Sequence, residues 1–292
     1  DLLFGHLHQP TSLSGMTVVA DCAWGAAWEL GPAALARAGA EVIAIHAEPR
    51  GKLINHGCGS LHPESLQARV MVEKADLGVA FDGDADRAMF VDELGQVRDG
   101  DFTKYVLAQD LYRQGLLDPP VVVGTVMSNP GLVLALQRLG VRLLRTPVGD
   151  RYVVAEMKRT GAVLGGEQSG HIVLSELGIG DGIYTALRVC EAVKRSGKTL
   201  SELCAPVAKV PQILHNIPVA AGYDWHSSVA LEEALSEWTA RLGDGGYVLI
   251  RPSGTEPLLR IMVASDDAAL TQEAVDSLTA IVEGEVGCQS TG

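Results

Sequence analysis

The chain has 292 residues, enough for two or three domains of about 100–200 residues each. Its 47% apolar and 20% charged residues describe a soluble globular protein, and no run of about 20 apolar residues marks a membrane span. The net charge of −13 lacks the footprint of a nucleic-acid binder and leaves any phosphate ligand to individual arginines and lysines.

From residue 16 the sequence alternates strand-like and helix-like stretches. Residues 16–20 predict a buried strand, 26–38 an Ala-rich helix ending at Gly39, and 41–45 a second strand. Pro63 opens a further helix, which leads to a strand at 77–81 and another at 88–92, and 102–114 is a helix closed by Gly115. Pro119-Pro120 marks a boundary, after which the pattern restarts: strand 121–125, helix 131–139, strand 141–144, a helix from 150 with Asp150 as its cap, and a helix 181–195. The two stretches read as successive α/β units of similar plan. A different rhythm follows: strand 207–219, a helix 227–242 capped by Ser227, strands 246–250 and 258–263, and a last helix 266–282. The expected architecture is α/β: domains at 1–115 and 116–205, then a small α+β domain at 206–292.

Cys22, Cys58, Cys190, Cys204 and Cys288 form no Cys-x-x-Cys pair; their odd number and wide spacing predict reduced thiols and a cytoplasmic setting. No signal peptide is read, and the absence of an initiator Met before Asp1 predicts a processed chain or a fragment.

The densest chemistry lies at Asp82-Gly83-Asp84-Ala85-Asp86-Arg87, delivered by the apolar stretch 77–81. Three adjacent carboxylates repel one another, and a divalent cation relieves that repulsion. Oxygen-only ligands suit a hard ion such as Mg²⁺, bound at about 2.1 Å. Gly83 is expected to let the loop bend, and Arg87 offers a fork for phosphate oxygens. Three other readings compete. A calcium helix-loop-helix also opens Asp-x-Asp-x-Asp, but it needs Gly where Arg87 stands and a helix where 88–92 reads as strand. An aspartyl-phosphate phosphatase matches the first two carboxylates only. A solvated acidic turn is the plain structural alternative.

Two more loops carry polar groups among glycines. In residues 164–171, Glu167, Ser169 and His171 alternate, and on an extended segment they point to one side. A carboxylate beside a hydroxyl offers the acceptor and donor that a sugar diol needs, and His171 is a candidate proton carrier or phosphate contact. A glycine-rich hairpin with polar tips is the bland reading. In residues 251–257, the Arg251 guanidinium, the Ser253 and Thr255 hydroxyls and the Gly254 amide are placed to converge on one phosphate, with Arg260 assisting from the next strand. The alternative there is a rigid turn. Arg151, after Gly149-Asp150, reads equally well as an anion contact or an ion-pair partner.

In this order the three loops resemble the metal, sugar and phosphate loops of the α-D-phosphohexomutase superfamily, and their joint occurrence argues against the calcium and phosphatase readings. Residues 21–27, 54–60 with His62-Pro63-Glu64, 126–129, 148–153 and Gly166-Glu167-Gln168-Ser169-Gly170-His171 are most similar to its phosphoglucosamine mutase family. The chain departs from that pattern at Trp24, where Asn is usual, at Leu61, where Thr is usual, and at Pro130, where an apolar non-proline is common. The resemblance implies a four-domain enzyme of which this chain supplies the second to fourth domains. It implies Mg²⁺ on Asp82, Asp84 and Asp86, with Arg87 and His171 at the reacting groups. Glu167 and Ser169 would hold the sugar, and Arg251, Ser253, Gly254, Thr255 and Arg260 the phosphate that does not react. The implied substrate is a hexosamine phosphate, interconverted between its 6- and 1-phosphates, or a mannose or glucose phosphate in the related mutases. A shortened, non-catalytic phosphosugar-binding protein is a third possibility. The implied phosphoryl carrier is a serine in a Ser-His-Asn-Pro-type loop of the first domain; no such loop occurs in residues 1–292, and Ser128-Asn129-Pro130 lacks the His. No nucleic-acid or membrane partner is expected, and a homodimer is compatible with the sequence.

Overall fold

The computed structural model describes Gly5 and residues 12–289 apart from 221–222, 244–245 and 254–255. Two compact units result: Asp1–Ser128 with Leu132–Ala208, and Asn129–Gly131 with Lys209–Gly292.

The first unit holds two sheets. Strands β1 (Thr17–Asp21), β2 (Glu41–Ile45), β3 (Leu77–Phe81), β4 (Ala88–Asp92) and β5 (Val97–Arg98) lie in the order β2-β1-β3-β4-β5. The β1 strand pairs parallel with β2 and β3, and β3 pairs antiparallel with β4. Strands β6 (Val121–Thr125), β7 (Arg142–Thr146), β8 (Leu164–Gly166) and β9 (Ile172–Leu174) repeat that plan in the order β7-β6-β8-β9: parallel, parallel, antiparallel. The expected similarity of the two α/β stretches therefore holds at the level of topology.

Both central sheets carry continuous apolar runs, Leu77–Phe81 and Val121–Thr125, buried along their whole length as helix-covered strands require. Helices α1 (Ala27–Arg37) and α2 (Glu64–Glu73) flank the first sheet. Gly78 lets α2 close in, since a Cβ there would lie 2.6 Å from Val70 Cγ2. Helix α3 (Gly100–Arg113) is buried on all sides over its first nine residues, Gly100–Ala108, and is capped by the Asp99 carboxylate, which accepts the Asp101 N–H. Helices α4 (Pro130–Arg138) and α5 (Asp150–Thr160) follow, then α6 (Gly182–Ser196), also buried along most of its length and capped by Asp181, and α7 (Leu200–Cys204) with a Thr199/Glu202 capping box. Tyr105, Leu107, Leu164, Tyr184, Leu187 and Cys190 belong to one core that joins residues of both α/β stretches.

In the second unit, β10 (Gln212–Pro218), β12 (Leu258–Ala264) and β11 (Tyr247–Pro252) form an antiparallel sheet in that order. Helices α8 (Val229–Leu242) and α9 (Ala268–Gln289) bury Leu231, Trp238, Leu278 and Val282 with Ile250, Leu259, Ile261 and Val263 of the sheet.

Two caps differ from the sequence reading. The α8 cap is Ser228, whose Oγ accepts the Leu231 N–H, while Ser227 ends a 3₁₀ turn at Trp225–Ser227. The α5 cap is Gly149, with φ of 131°, and Asp150 is the first helical residue. No described helix is long and apolar enough to cross a membrane. The described cysteines Cys22, Cys58, Cys190 and Cys204 are all free and buried, and the Cys288 side chain lies outside the described residues.

Candidate functional site

Residues 82–87 connect β3 to β4, whose first pair is Phe81 with Ala88. A strand, not a helix, follows the loop, which removes the calcium helix-loop-helix reading. The chain reverses through Ala85, at φ of 64°, rather than through Gly83. Gly83 is needed for a different reason: a Cβ there would lie 2.6 Å from Ile54 Cγ2. Its carbonyl accepts the Ala26 N–H at 2.9 Å, so the loops at 21–26 and 54–60 support the acidic loop from below.

Asp82, Asp84 and Asp86 each offer an oxygen within 4.8 Å of the other two. Asp82 is the most enclosed, and burial pushes its carboxyl up to about 6; the Arg87 N–H opposes the shift, while Asp86 and Asp84 add to it. Asp86 Oδ1 is buried without a hydrogen-bond partner among the described residues. The Arg87 Nε lies 3.6 Å from both Asp82 and Asp86, a loose pairing that leaves part of the negative charge uncompensated. An oxygen without a hydrogen bond, a carboxyl raised by burial and by its neighbours' charge, and an all-oxygen donor set together fit a hard divalent cation.

The second loop is a hairpin tip between β8 and β9, paired up to Gly166 and Ile172, so Glu167, Ser169 and His171 do not alternate along an extended strand. A turn brings Glu167 and Ser169 together instead: Ser169 Oγ donates to Glu167 Oε2 at 3.3 Å, and the other carboxylate oxygen accepts the Gly149 N–H at 2.9 Å. His171 leaves this pair and places Nδ1 3.1 Å from Asp86 Oδ2. Its ring packs against Gly180, where a Cβ would come within 2.2 Å of Nε2. The Ala88 N–H donates to the Gly170 carbonyl at 3.1 Å and the Gly182 N–H to the Ala85 carbonyl at 2.9 Å, joining the acidic loop to the hairpin and to the start of α6. Beside this junction opens a cavity of about 590 Å³ lined by Asp86, His171, Asp150, Arg151, Lys158 and Gly180.

One group was not readable from sequence. Lys104, fully buried on α3, donates to Ser128 Oγ at 2.9 Å and to the Gly166 carbonyl at 3.2 Å, and pairs with Asp101 at 3.0 Å. Gly100 sits so close to the hairpin that a Cβ would lie 2.0 Å from the Glu167 carbonyl oxygen, and its N–H donates to the Gln168 carbonyl. Thus α3 braces the hairpin tip from behind. A lysine within Phe102-Thr103-Lys104-Tyr105-Val106 carries no local sign of burial; its three acceptors come from α3 itself, from the turn after β6 and from the end of β8.

In the second unit, Arg251 and Arg260 are direct cross-strand partners on β11 and β12. Like charges opposite one another destabilise an antiparallel pair unless an anion or a carboxylate intervenes. Glu256 reaches Arg260 at 3.4 Å, and Ser253 Oγ is buried without a partner among the described residues. Gly254 and Thr255, the remaining members of the expected phosphate loop, lie outside the described residues.

Comparison with known proteins gives matches along the chain. Residues 6–95 match the phosphoglucomutase/phosphomannomutase alpha/beta/alpha domain II, 99–210 its alpha/beta/alpha domain III, and 214–281 its C-terminal domain. A phosphoglucosamine mutase of Rhizobium meliloti (strain 1021) is 47% identical over 279 residues, 95% of this chain and 62% of that protein. One of Desulforudis audaxviator (strain MP104C) is 46% identical over 284 residues, 97% of this chain and 63% of that protein. The chain thus spans less than two thirds of the length of these relatives. Among solved structures, a phosphoglucomutase/phosphomannomutase family protein of Burkholderia thailandensis aligns with a TM-score of 0.79 at 23% identity, over 97% of this chain and 63% of that one. The N-acetylphosphoglucosamine mutase of Aspergillus fumigatus, solved with GlcNAc-6P and magnesium, aligns with a TM-score of 0.78 at 19% identity, over 98% and 64%.

Proposed function

Because the chain belongs to the phosphoglucomutase/phosphomannomutase family, we propose that it is the metal-, sugar- and phosphate-binding part of a phosphoglucosamine mutase, acting on glucosamine 6-phosphate and glucosamine 1-phosphate. The observation that carries this reading is the joining of the two loops: His171 to Asp86 at 3.1 Å and Ala88 N–H to the Gly170 carbonyl at 3.1 Å. A metal loop and a polyol-binding turn held at a fixed separation are what a phosphoryl transfer to a sugar hydroxyl requires. The relatives at 46–47% identity favour the amino sugar over mannose or glucose.

Mg²⁺ is the ion the oxygen-only triplet suits, held by Asp82, Asp84 and Asp86, and when bound it neutralises charge on a phosphoryl group. Arg87 offers its guanidinium to the phosphoryl oxygens. Glu167 accepts from one sugar hydroxyl while Ser169 donates to its neighbour. His171, with Nδ1 held by Asp86, has Nε2 left to take or return the proton of the reacting hydroxyl. Arg251, Ser253, Gly254, Thr255 and Arg260 grip the phosphate that does not react, so that remote binding energy favours the reaction.

Moving a phosphoryl group between two hydroxyls of one sugar needs a carrier between the steps. The family resemblance places that serine ahead of these domains, so residues 1–292 alone are expected to bind glucosamine phosphates without interconverting them. A coupled assay with and without a separately expressed serine-bearing domain tests this. Turnover that depends on the added domain supports the proposal. Turnover by residues 1–292 alone, or none with the domain present, overturns it.

A further inference from the structure

Away from the acidic triplet, a second group of metal-ligating side chains converges. Asp21 ends β1, His46 directly follows β2, and Cys58 precedes the short 3₁₀ turn Gly59–Leu61. Asp21 pairs with Ile45 in the parallel register, which brings the residue after Ile45 to its side. One ligand atom from each of Asp21, His46 and Cys58 lies within 4.8 Å of the other two, and His46 Nδ1 is 3.0 Å from Asp21 Oδ1.

The surroundings hold these atoms in place. The fully buried Asp21 carboxylate accepts the Ala23 N–H at 2.9 Å and the Gly59 N–H at 3.0 Å, one on each oxygen. A carboxylate has room for about four partners, so Oδ2 retains a lone pair, while the second position on Oδ1 is the one that His46 Nδ1 approaches. His46 occupies left-handed backbone at φ of 49°, a conformation glycine takes freely and other residues take against a steric cost. That backbone turns the imidazole onto Asp21. The ring edge stacks at 5.1 Å against Trp24, itself beneath the Arg50 guanidinium at 4.9 Å. The His46 side chain is 23% exposed and that of Asp21 is fully buried, so the only wet side of the cluster is the histidine's.

We propose that Asp21, His46 and Cys58 bind one zinc-class divalent cation, at a site separate in place and in chemistry from the oxygen-only triplet. One oxygen, one imidazole nitrogen and one sulfur are the donor set of zinc and cobalt, and Mg²⁺ has little affinity for the sulfur. Three protein ligands leave the fourth tetrahedral position to water on the histidine side. Bonds of about 2.0–2.3 Å to a tetrahedral ion set ligand atoms roughly 3.3–3.7 Å apart, so a small opening between His46 and Asp21, with Cys58 no more than 4.8 Å from either, brings the three atoms to that geometry. Binding replaces the S–H bond of Cys58 by a sulfur–metal bond and sends the proton to solvent. Burial and the charge of Asp21 hold the metal-free thiol up at about 11, so at neutral pH the proton is present to be released, about one per ion. A Cβ on Gly59 would lie 2.7 Å from the Phe81 carbonyl oxygen, at the root of the acidic loop, so the bound ion would staple the segments beneath that loop.

The test is titration of the 292-residue chain with Co²⁺ and with Zn²⁺, in an Asp84→Asn background that disables the triplet. One equivalent is expected, with a thiolate-to-cobalt charge-transfer absorption, and zinc calorimetry in two buffers of different ionisation enthalpy should return about one released proton. Cys58→Ser should abolish the absorption and weaken zinc by tenfold or more, on the scale of lost ligand support. His46→Gly, which suits the left-handed backbone and so keeps the fold, should weaken it as much. Cys22→Ser should change nothing. Absence of the absorption in the parent, its survival in Cys58→Ser, or undiminished zinc affinity in His46→Gly would each overturn the site.

Discussion

His171 and Asp86 stand 85 residues apart in the chain and meet at 3.1 Å between Nδ1 and Oδ2. One belongs to the hairpin of the second sheet and the other to the acidic loop of the first. Their contact ties the orientation of a candidate proton carrier to the charge state of the candidate metal loop. Binding of a cation to the triplet and positioning of the imidazole should therefore be linked.

Replacing Asp84 by Asn preserves shape and removes one charge from the triplet. Calorimetric titration with Mg²⁺ should show clear binding by the parent chain and at least tenfold weaker binding by the variant. Identical heats would remove the triplet from the metal site.

The metal-free chain should show a pH dependence set by Asp82. Its carboxyl is raised from 3.8 to about 6, so in that interval the folded chain keeps a proton that the unfolded chain releases. The resulting stabilisation is complete below the lower value and disappears as pH rises through about 6. Magnesium affinity runs the other way, because the proton competes with the ion: it should fall as pH drops below about 6, by up to tenfold per unit. An affinity constant between pH 5 and 7 by calorimetry would contradict the raised carboxyl.

Lys104→Met keeps the volume and removes the buried Lys104–Asp101 pair. Breaking one side of a buried pair costs about 3–5 kcal/mol, to be read in denaturant unfolding. Adding Asp101→Asn should recover part of that loss while leaving glucosamine-phosphate binding weak, because the Gly166 carbonyl still lacks its brace. Full recovery of both would make the pair a core feature with no hold on the hairpin.

Gly182→Ala places a methyl 2.5 Å from the Arg87 carbonyl oxygen, against backbone that must shift. A loss of about 1–3 kcal/mol and weaker Mg²⁺ binding are expected together. Gly284→Ala, with nothing within 4 Å of the new Cβ, should instead leave metal binding alone and slightly stabilise α9. Thermal melting and magnesium titration of both variants decide the matter.

In the second unit, Arg251→Ala should weaken glucosamine-phosphate binding about tenfold to a hundredfold, as expected for a charge-assisted contact of roughly 1.5–3 kcal/mol. Arg142→Ala, on β7 and outside the three loops, should have little effect. Equal losses would mean that Arg251 only braces its turn.

What could be read from the sequence depended on how local its causes are. The apolar run 77–81 followed by alternating carboxylates announced both β3 and the loop at its end, because burial and charge repulsion act between near neighbours. The caps differ from the sequence reading by one residue each: Ser227 and Ser228 carry the same capping side chain and differ only in backbone geometry, while at Gly149 the backbone sets the start of the helix and no side chain caps it. A three-glycine segment fits an extended strand as well as a turn, so the sequence does not single out the turn that holds Glu167 to Ser169. Lys104 and the cluster of Asp21, His46 and Cys58 were invisible for a different reason: each is assembled from segments tens of residues apart, and no residue in them is unusual in its own neighbourhood.

The two sheets of the first unit share the strand plan β2-β1-β3-β4 and β7-β6-β8-β9. In the first copy the acidic loop joins the antiparallel pair β3 and β4; in the second the glycine-rich tip joins β8 and β9. The two loops occupy the same station of one repeated scaffold. In the proposed reading the same corner serves hard cations in one sheet and hydroxyl groups in the other, and because the strands that hold each loop lie in separate sheets, a change in one loop leaves the frame of the other in place.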